Sequence, residues 1–277
     1  MIDLSKLPAP SLMQTDYPTL LQSLRDSIVL AYPEIESTID LESEPIRKLI
    51  ELFAYQQLMT ISYVNDVAKQ TMLAFANGSN LDQIGGTFAV ERLTNESDER
   101  FRARIQESFE GYTTAGSYGA YRFHSMGASP EIKDVKVTSS QPGTVDIYVL
   151  GQNGLPSQAI LDAVYSACNA DDVRPLCDTV VVHPCQIVSY SINAQINIPA
   201  GPDSSVIYQA ALTSINGYTQ SALAIGNDIN ISAIHAALHV EGVKSVSLAQ
   251  PMSDIIITDY QAPLCASINL SVSVSYG

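Results

Sequence analysis

Basic residues are scarce in this chain of 277 residues, which has 14 lysines and arginines against 29 aspartates and glutamates. The formal net charge of −15 at pH 7 opposes nonspecific attraction to nucleic-acid phosphates and to anionic lipid headgroups. Neither nucleic acid nor a membrane is therefore an expected partner. The hydrophobic content of 46% is enough to form buried cores, and the length predicts roughly two domains.

Long apolar runs are also missing from the sequence. No window of about 18 residues is continuously apolar, as a membrane-spanning helix requires. At the start of the chain, Asp3, Pro8 and Pro10 stand where a secretory signal peptide carries basic residues and then an apolar segment. We therefore expect a chain that is made and kept in the cytoplasm.

Cysteine is rare, with four residues and no Cys-x-x-Cys pair. A chain of this length does not depend on disulfides as a small secreted domain does, so reduced and buried thiols are expected. Cys177, His183 and Cys185 share one face if CDTVVVHPC is a strand, which is the one arrangement that suggests zinc. An extended strand separates Cys177 from His183 by about 20 Å, which is too far for one ion.

Catalytic motifs are absent as well, because the sequence has neither G-x-S-x-G nor H-E-x-x-H. His235 and His239 are four residues apart on a predicted helix, but they lack an intervening glutamate and a third ligand. The remaining histidines, His124 and His183, have unrelated neighbours. We expect no catalytic residue, no cofactor-binding residue and no metal ligand.

The glycine pair Gly85-Gly86 in NGSNLDQIGGTF has the composition of a phosphate-binding turn but not its context. A P-loop needs a strand before the glycines and a Gly-Lys-Ser/Thr ending, and neither is present. Ser79 and Asp82 instead predict a capping box at the start of a short helix. Gly85 is then the residue expected to end that helix.

Two amphipathic helices are predicted near the N-terminus. The first covers residues 18–31 and ends before Pro33. The second has Ser43 as a cap and Pro45 in its first turn, and it meets no helix breaker before Asn77-Gly78. Its length is about 32 residues, or nearly 50 Å at 1.5 Å per residue.

An apolar stripe runs along this second helix, and the first helix is too short to cover all of it. Such a stripe indicates either a large interface within the chain or a helical bundle shared with other subunits. The candidate interface residues are Ile46, Leu49, Ile50, Phe53, Ile61, Val64, Ala68 and Met72.

A further helix is predicted for NESDERFRARIQESFEGY, with Ser97 as its cap. Its buried stripe is expected to consist of Phe101, Ile105 and Phe109. The clustered acids Glu96, Asp98 and Glu99 could suggest acid/base catalysis. We interpret them as a solvated helix start, because acidic side chains stabilise the positive end of a helix.

After residue 113, predicted helices and strands alternate. The run QIVSYSINAQINI alternates apolar and polar residues, so it predicts a strand with Ile192 on a buried face and Asn193 on a wet one. The last run of the chain alternates in the same way, with Val272 predicted in the core. Helices are also predicted from Asp203 to about residue 220 and from 231 to 239.

A weak internal sequence repeat relates the two halves of this region. A helix followed by EIKDVKV and TVDIYVL resembles a helix followed by GVKSVSL and DIIITDY, 111 residues later. The predicted class is α+β, with an N-terminal long-helix arm and two similar mixed α/β modules whose sheets are partly antiparallel. The predicted domains are a bundle-forming arm at 1–78, a first module with a helical entry at 79–185 and a C-terminal module at 186–277.

Several motifs occur in an order that resembles one known family. These are EPIRKLIELFAYQQL, LAFANGSNLDQIGG, ERLTNESDERFRARI, TAGSYGAYRFHSMGASPEIKDVKV and DDVRPLCDTVVV. In this order they resemble the baseplate J family of contractile phage tails, over the chain from about residue 44 to its end. The positions that carry the family pattern are Asn80, Leu81, Asp82, Arg92, Glu96, Ser97, Asp98, Arg102, Gly116, Ser117, Tyr121, Asp134, Val135, Arg174 and Pro175.

The resemblance implies a structural protein without catalytic residues. Members of the family are wedge subunits that ring the hub and spike of the tail, and receptor contact rearranges that ring to start sheath contraction. The implied partners are a second copy of the chain, a smaller I-like wedge subunit, a W-like sheath-initiator protein and neighbouring wedges. The implied location is the host cytoplasm during assembly and then the baseplate of the virion tail.

A second class of function stays open at this point. An acidic cytoplasmic α/β hydrolase or a small-molecule binder is compatible with two α/β modules. Size separates the two hypotheses, because a baseplate subunit forms a defined hetero-complex when it is produced with its neighbouring genes.

Overall fold

The computed structural model describes residues 2–113, 115–199 and 204–275. The helices are α1 (Tyr17–Ala31), α2 (Pro45–Gln70), α3 (Gly78–Thr87), α4 (Asp98–Gly111), α5 (Tyr118–Gly127), α6 (Gln158–Cys168), α7 (Ser204–Ala222) and α8 (Ile231–Leu238). The strands are β1 (Ile132–Thr138), β2 (Thr144–Gly151), β3 (Thr179–Pro184), β4 (Gln186–Pro199), β5 (Ser245–Gln250) and β6 (Gln261–Ser275). The predicted α+β class with an N-terminal helical arm and two mixed sheets is confirmed.

The chain divides into two compact units, one formed by Met1–Arg92 with Glu96–Gln106 and the other by Leu93–Asn95 with Glu107–Gly277. The first unit holds α1 to α3 and most of α4, and the second holds both sheets. The three predicted domains, 1–78, 79–185 and 186–277, remain a prediction.

Helices α1 and α2 pack against each other through apolar side chains. Asp16 caps α1, because its carboxylate accepts a hydrogen bond from the backbone N–H of Thr19 at 2.8 Å. The buried cluster between the two helices contains Leu20, Ala54 and Ile61. The cap of α2 is Glu44, whose side chain accepts from the N–H of Ile46, so the prediction of Ser43 as the cap is wrong.

Helix α2 has 26 residues and ends at Gln70, so its predicted extension to residue 76 is wrong. Its length is about 39 Å at 1.5 Å per residue. The following carbonyls have partners outside a helix: Arg102 donates from Nε to Leu73 O at 2.9 Å and from Nη2 to Ala76 O at 2.7 Å. The N–H of Asn77 bonds to the Gln70 side chain at 3.0 Å. These bonds replace the helical ones, and propensity alone does not reveal them.

Gly85 lies inside α3 and does not end it, contrary to the prediction. The helix stops at Thr87, shortly before Ala89, which has the positive φ of 53° that a chain reversal needs. A Cβ on Gly85 would lie 2.4 Å from Phe101 Cζ and 2.8 Å from Val90 O, so this glycine allows close packing of α3. The predicted capping box is also wrong, since Asn77 is the cap and Asp82 pairs with Arg92.

Helix α4 begins as predicted, with the hydroxyl of Ser97 accepting from the N–H of Arg100 at 3.3 Å. Phe101 and Ile105 are fully buried, but Phe109 is 68% exposed and was wrongly placed in the buried stripe. Ser108 is buried in its place. Ser108 is seven residues after Phe101, which is close to two full helical turns and returns it to the same side of the helix, whereas Phe109 is eight residues after Phe101 and lies further round the helix.

The first sheet has the order β1-β2-β3, with β1 antiparallel and β3 parallel to the central β2. Helices α5 and α6 cover its apolar face. The core there combines Tyr121 of α5 and Val164 of α6 with strand residues such as Ile147.

The second sheet has the order β5-β4-β6, again with one antiparallel and one parallel neighbour of the central strand. The alternation of β4 is confirmed, since Ile192 is buried and Asn193 is exposed. Val272 was wrongly predicted in the core, because it is 37% exposed on the edge strand β6. The predicted start of α7 at Asp203 lies outside the described residues.

The predicted internal repeat is only partly confirmed. The helix–strand pairs α5–β1 and α8–β5 occupy corresponding places, because β1 and β5 are each the antiparallel neighbour of a central strand. The segment DIIITDY was expected to be a strand and forms only an isolated bridge between Ile229 and Ile255. Two side-chain hydrogen bonds fix this segment instead. The carboxylate of Asp228 accepts a hydrogen bond from the N–H of Ile257 at 2.7 Å, and the carboxylate of Asp254 accepts one from the N–H of Ile231 at 2.8 Å.

Candidate assembly surface on helix α2

Helix α2 is apolar on two opposite sides, whereas an ordinary surface helix has one apolar side and one polar side. The inner side faces α1 and buries Ile50, Ala54 and Ile61. On the opposite side, Leu52 and Tyr63 are 55% and 70% exposed. A helix that is apolar all round is normally covered on all sides, so this second side lacks a partner within the part of the first unit that the structure describes.

We call this exposed side the outer stripe and define it by apolar side chains that are three, four or seven residues apart. Such spacing keeps them on one side of a helix. It spans about 27 Å from its first to its last member at 1.5 Å per residue. Its members are Leu49, Leu52, Phe53, Met59, Tyr63 and Val67, all exposed.

The outer stripe contains little charge. Between Leu49 and Val67 the ionisable acids and bases are Glu51 and Asp66, apart from the tyrosine hydroxyls. Both acids already have partners, because Arg47 Nε lies 3.1 Å from Glu51 and Lys69 Nζ lies 3.0 Å from Asp66. The stripe can therefore be covered without burying an unpaired charge.

The structure separates the predicted interface residues into four groups. Ile50 and Ile61 are buried on the inner side, and Ile46 and Ala68 are half-buried. Leu49, Phe53 and Val64 are exposed. Met72 lies beyond the end of α2.

Sequence reasoning missed four members of the outer stripe, namely Leu52, Met59, Tyr63 and Val67. The signal was a second set of apolar residues at helical spacing, centred about a third of a turn away from the first set. Taken together, the two sets made α2 look like one wide stripe, because nothing in the sequence states which set α1 covers.

The N-terminal segment is fixed to α2 by one side chain. The amide oxygen of Asn65 accepts from the backbone N–H groups of Leu12 and Met13 at 2.9 and 3.1 Å, and its amide nitrogen donates to Met13 O at 2.9 Å. Asn65 therefore satisfies three backbone groups of an extended segment at one point on the helix.

A cavity of about 560 Å³ lies between α1, α2 and the turn that joins them. Ile39 and Ile50 line its apolar part. The cations at its rim already have partners: Arg25 donates to both carboxylate oxygens of Asp40, and Arg47 donates to Asp40 O and to Glu51. No cation of the rim is thus left unpaired for an anionic ligand.

The acids before α4 are not a simple solvated helix start. Glu96 is only 6% exposed and forms ion pairs with Arg100 and with Arg104, the latter at 2.7 Å, so its interpretation as a solvated residue is wrong. Burial lowers the pKa of Arg100, and Glu96 opposes that shift. Asp98 does remain at the helix start, where it accepts from the N–H of Gly78 at 2.9 Å.

Residues of the family pattern in the second unit gather around Asp178. Its carboxylate accepts from the hydroxyl of Tyr121 at 3.0 Å, and its carbonyl accepts from Nη1 of Arg174 at 2.8 Å. Gly116 has a positive φ of 70°, and a Cβ there would lie 2.7 Å from Asp178 Oδ2. These contacts fix the positions of Tyr121 and Gly116 relative to Asp178.

A histidine, an aspartate and a serine come together on the outer face of the first sheet. His183 Nε2 lies 3.1 Å from Asp146 Oδ1, and Ser140 Oγ donates to Asp146 Oδ2 at 2.9 Å. In a hydrolase the serine bonds to the histidine, which then removes its proton. Here both bond to the carboxylate, so the arrangement does not activate Ser140.

The cysteines are all free thiols. Burial raises the pKa of Cys168 and of Cys185 to about 11, so both stay protonated at neutral pH.

Over residues 2–113, 115–199 and 204–275, no three His, Cys, Asp or Glu side chains lie close enough to hold a metal ion. None of the helices described in this chain combines the length and apolar character needed to cross a bilayer.

Comparison with known proteins defines the class of this chain. Family models for the baseplate J-like N-terminal, central and C-terminal domains match residues 42–98, 113–184 and 190–271. The chain belongs to the baseplate J-like family.

Among individual proteins, the chain is 40% identical to Baseplate protein J of Escherichia phage P2 over 288 aligned residues, which cover 96% of this chain and 95% of that protein. A chain of the six-fold symmetrised cryo-EM structure of the anti-feeding prophage baseplate is also similar, with 15% identity and a TM-score of 0.43. That similarity covers 64% of this chain and 43% of the other.

Proposed function

We propose that this chain is a wedge subunit of the baseplate of a contractile phage tail or a related injection particle. A structural role in a phage tail baseplate follows from the family and from the relative in phage P2. The finer proposal is that wedges close a ring around the hub and spike, and that the ring couples receptor contact to sheath contraction. The observation that carries it is the outer stripe of α2.

The outer stripe can supply the free energy of assembly. Burying one Leu, Ile, Phe or Met side chain contributes roughly 1.5 to 3 kcal/mol. Several such side chains in register exceed the cost of ordering one more helix against α2, although part of the gain is lost to the entropy of association. Exposed apolar stripes of this size mark interaction sites in soluble proteins.

We infer that helices of other subunits cover the stripe. A repeat of three and four residues is the pattern that packs helices side by side, with knobs of one helix in holes of the next. The proposed partners are a second copy of this chain, a smaller I-like wedge subunit and a W-like sheath-initiator protein, with neighbouring wedges outside the bundle. The arm at 1–78 then serves as the bundle-forming domain, and the modules at 79–185 and 186–277 build the ring.

Coexpression with the neighbouring genes of the phage tests this proposal. The chain should elute and scatter light as a defined hetero-complex. Leu52→Glu with Met59→Glu places two charges on the outer stripe and should remove the chain from that complex. Gln57→Glu with Ser62→Glu adds the same charge to exposed positions of α2 outside the stripe, and it should leave the complex intact.

The alternative, an acidic cytoplasmic hydrolase or small-molecule binder, makes the opposite prediction. Such a protein stays a monomer or a small homo-oligomer when its neighbours are present. That result, obtained with wild-type protein and soluble neighbours, would contradict the wedge proposal.

A further inference from the structure

The edges of the two sheets differ in length and in charge. In the first sheet, β1 carries Lys133, Asp134 and Lys136, and β3 ends in Pro184 after six residues. Charge, proline and short length are the features that keep edge strands from pairing with other chains. In the second sheet, β5 is also short, whereas β6 spans 15 residues.

Strand β6 has no such protection in its second half. Its first half contains Pro263 and a register shift opposite Tyr190 and Ser191, both of which disturb an edge. From Ile268 to Ser275 the sequence INLSVSVS has no charge, no proline and no glycine. One side of β6 pairs with β4, and within the described residues no strand pairs with its other side.

The whole C-terminal region is poor in charge. The chain has 29 acidic and 14 basic residues. Those within residues 186–277 are Asp203, Asp228, Glu241, Lys244, Asp254 and Asp259. None of these charged residues lies in β6, so two copies can approach each other along this strand without placing like charges of the strand opposite each other.

The apolar side chains at this edge of the second sheet are only partly covered. Ile196 and Ile198 of β4 are 0% and 1% exposed, but their direct neighbours on β6, Val272 and Val274, are 37% and 43% exposed. The apolar face of the sheet thus continues one strand beyond its cover. A further strand beside β6 would bring its own side chains against these two valines.

We propose that β6 pairs with β6 of a second copy of this chain, antiparallel, about a two-fold axis perpendicular to the sheet. Such an axis keeps the helix-covered faces of both copies on the same side, so the product is a continuous sheet in the order β5-β4-β6-β6-β4-β5. The surface is self-complementary, because residues opposite each other across an antiparallel pair share a face. The alternation of INLSVSVS therefore sets Ile, Leu and Val against each other, and Asn and Ser against each other.

This contact is separate from the outer stripe of α2 and does not depend on the wedge proposal. It adds backbone hydrogen bonds, which are the main source of affinity when an edge strand is extended.

Charge exchange on the polar face of β6 tests the pairing. The parent protein is the full chain carrying Leu52→Glu and Met59→Glu, so that α2 does not associate, and sedimentation velocity over a concentration series measures its dimerisation. Asn269→Lys with Ser273→Lys should weaken the dimer about tenfold or more, because like charges then lie across the pair. Asn269→Glu with Ser273→Glu should do the same, and a mixture of the two variants should restore dimerisation.

A matched control places the same charges one strand further in. Asn193→Lys with Gln195→Lys changes exposed residues of the same polar face on β4 and should leave the dimer unchanged. The added lysines make the chain less negative overall, so a loss of dimer in the β6 lysine variant cannot come from general repulsion. Circular dichroism confirms that each variant is folded.

The proposal is overturned if the parent stays monomeric over the whole concentration series. It is equally overturned if both charged β6 variants dimerise as the parent does, or if their mixture does not regain the parent's affinity.

Discussion

The carboxylate of Asp134 accepts a hydrogen bond from the backbone N–H of Ile225 at 3.0 Å, although 91 residues separate the two along the chain. Its other oxygen accepts from Nη1 of Arg122 at 2.8 Å. Arg122 also pairs with Glu107 at 3.2 Å. The carboxylate of Asp134 thus connects β1 of the first sheet to the loop that follows α7. Helix α7 covers the second sheet.

Removal of Asp134 should loosen this junction. Burial lowers the pKa of Arg122, but Asp134 and Glu107 outweigh that effect and raise it, so the guanidinium depends on both acids. Asp134→Ala should lower the free energy of unfolding by about 2 to 4 kcal/mol, because it leaves a largely buried charge short of a partner. Asp134→Asn keeps an acceptor for the Ile225 N–H and should cost less.

Urea unfolding followed by circular dichroism measures the difference between these variants. Equal loss of stability in Asp134→Ala and Asp134→Asn would show that the Ile225 hydrogen bond does not contribute.

The adjacent glycines of α3 should respond in opposite directions to the same change. In Gly85→Ala the new methyl group meets Phe101 and the carbonyl of Val90, so we expect a loss of about 1 to 3 kcal/mol. In Gly86→Ala the methyl group meets nothing within 4 Å, and alanine favours a helix by roughly 0.5 to 1 kcal/mol over glycine. Thermal unfolding of the two variants checks the prediction, which fails if both shift the midpoint in the same direction.

Acid should destabilise the first unit through Asp98. The hydrogen bond from the Gly78 N–H, together with Arg92, holds the pKa of Asp98 below its ordinary value of 3.8, against the opposing effect of burial. A lowered pKa in the folded state stabilises the protein above the ordinary pKa, and this contribution is lost as pH falls through the folded pKa. Stability of the wild type should therefore fall as pH drops below about 4.

Asp98→Asn removes that proton-linked contribution. The variant should be less stable than wild type at neutral pH, and the difference between them should shrink with acidification. Urea midpoints from pH 7 to pH 3 measure it, and a constant difference over that range would contradict the assignment.

The two faces of β4 should tolerate charge very differently. Ile192 is fully buried, so Ile192→Asp should cost several kcal/mol and unfold the second sheet. Asn193 is exposed, and Asn193→Asp should change stability by less than about 0.5 kcal/mol. Thermal unfolding compares the two variants, and equal midpoints would mean that the faces are assigned the wrong way round.

Periodicity predicted the elements of this fold well where one pattern dominated. The alternation around Ile192 and Asn193 identified both faces of β4, because a strand in the middle of a sheet has one covered face. The same alternation failed for Val272, since an edge strand repeats the pattern without the same cover. Sequence alone does not state which strand is at the edge.

Side chains from distant positions decided the remaining elements. Helix α2 stops at Gln70 because Arg102 bonds to the carbonyls that follow, and those partners are about 30 residues away along the chain. Gly85 looked like a helix end, but its role is to admit Phe101. Only two of the six residues of the outer stripe, Leu49 and Phe53, were predicted, because a helix with two apolar sides needs a partner in three dimensions before inner and outer residues can be told apart.

The central claim is that the outer stripe of α2 attaches this chain to the rest of the wedge. The most direct measurement is pull-down of the coexpressed tail proteins by tagged chain, with Leu52→Glu and Met59→Glu compared with Gln57→Glu and Ser62→Glu. We predict that the stripe variant loses its partners while the control variant retains them, with equal helical content by circular dichroism. Equal capture of partners by both variants would contradict the account and place the assembly surface elsewhere on the chain.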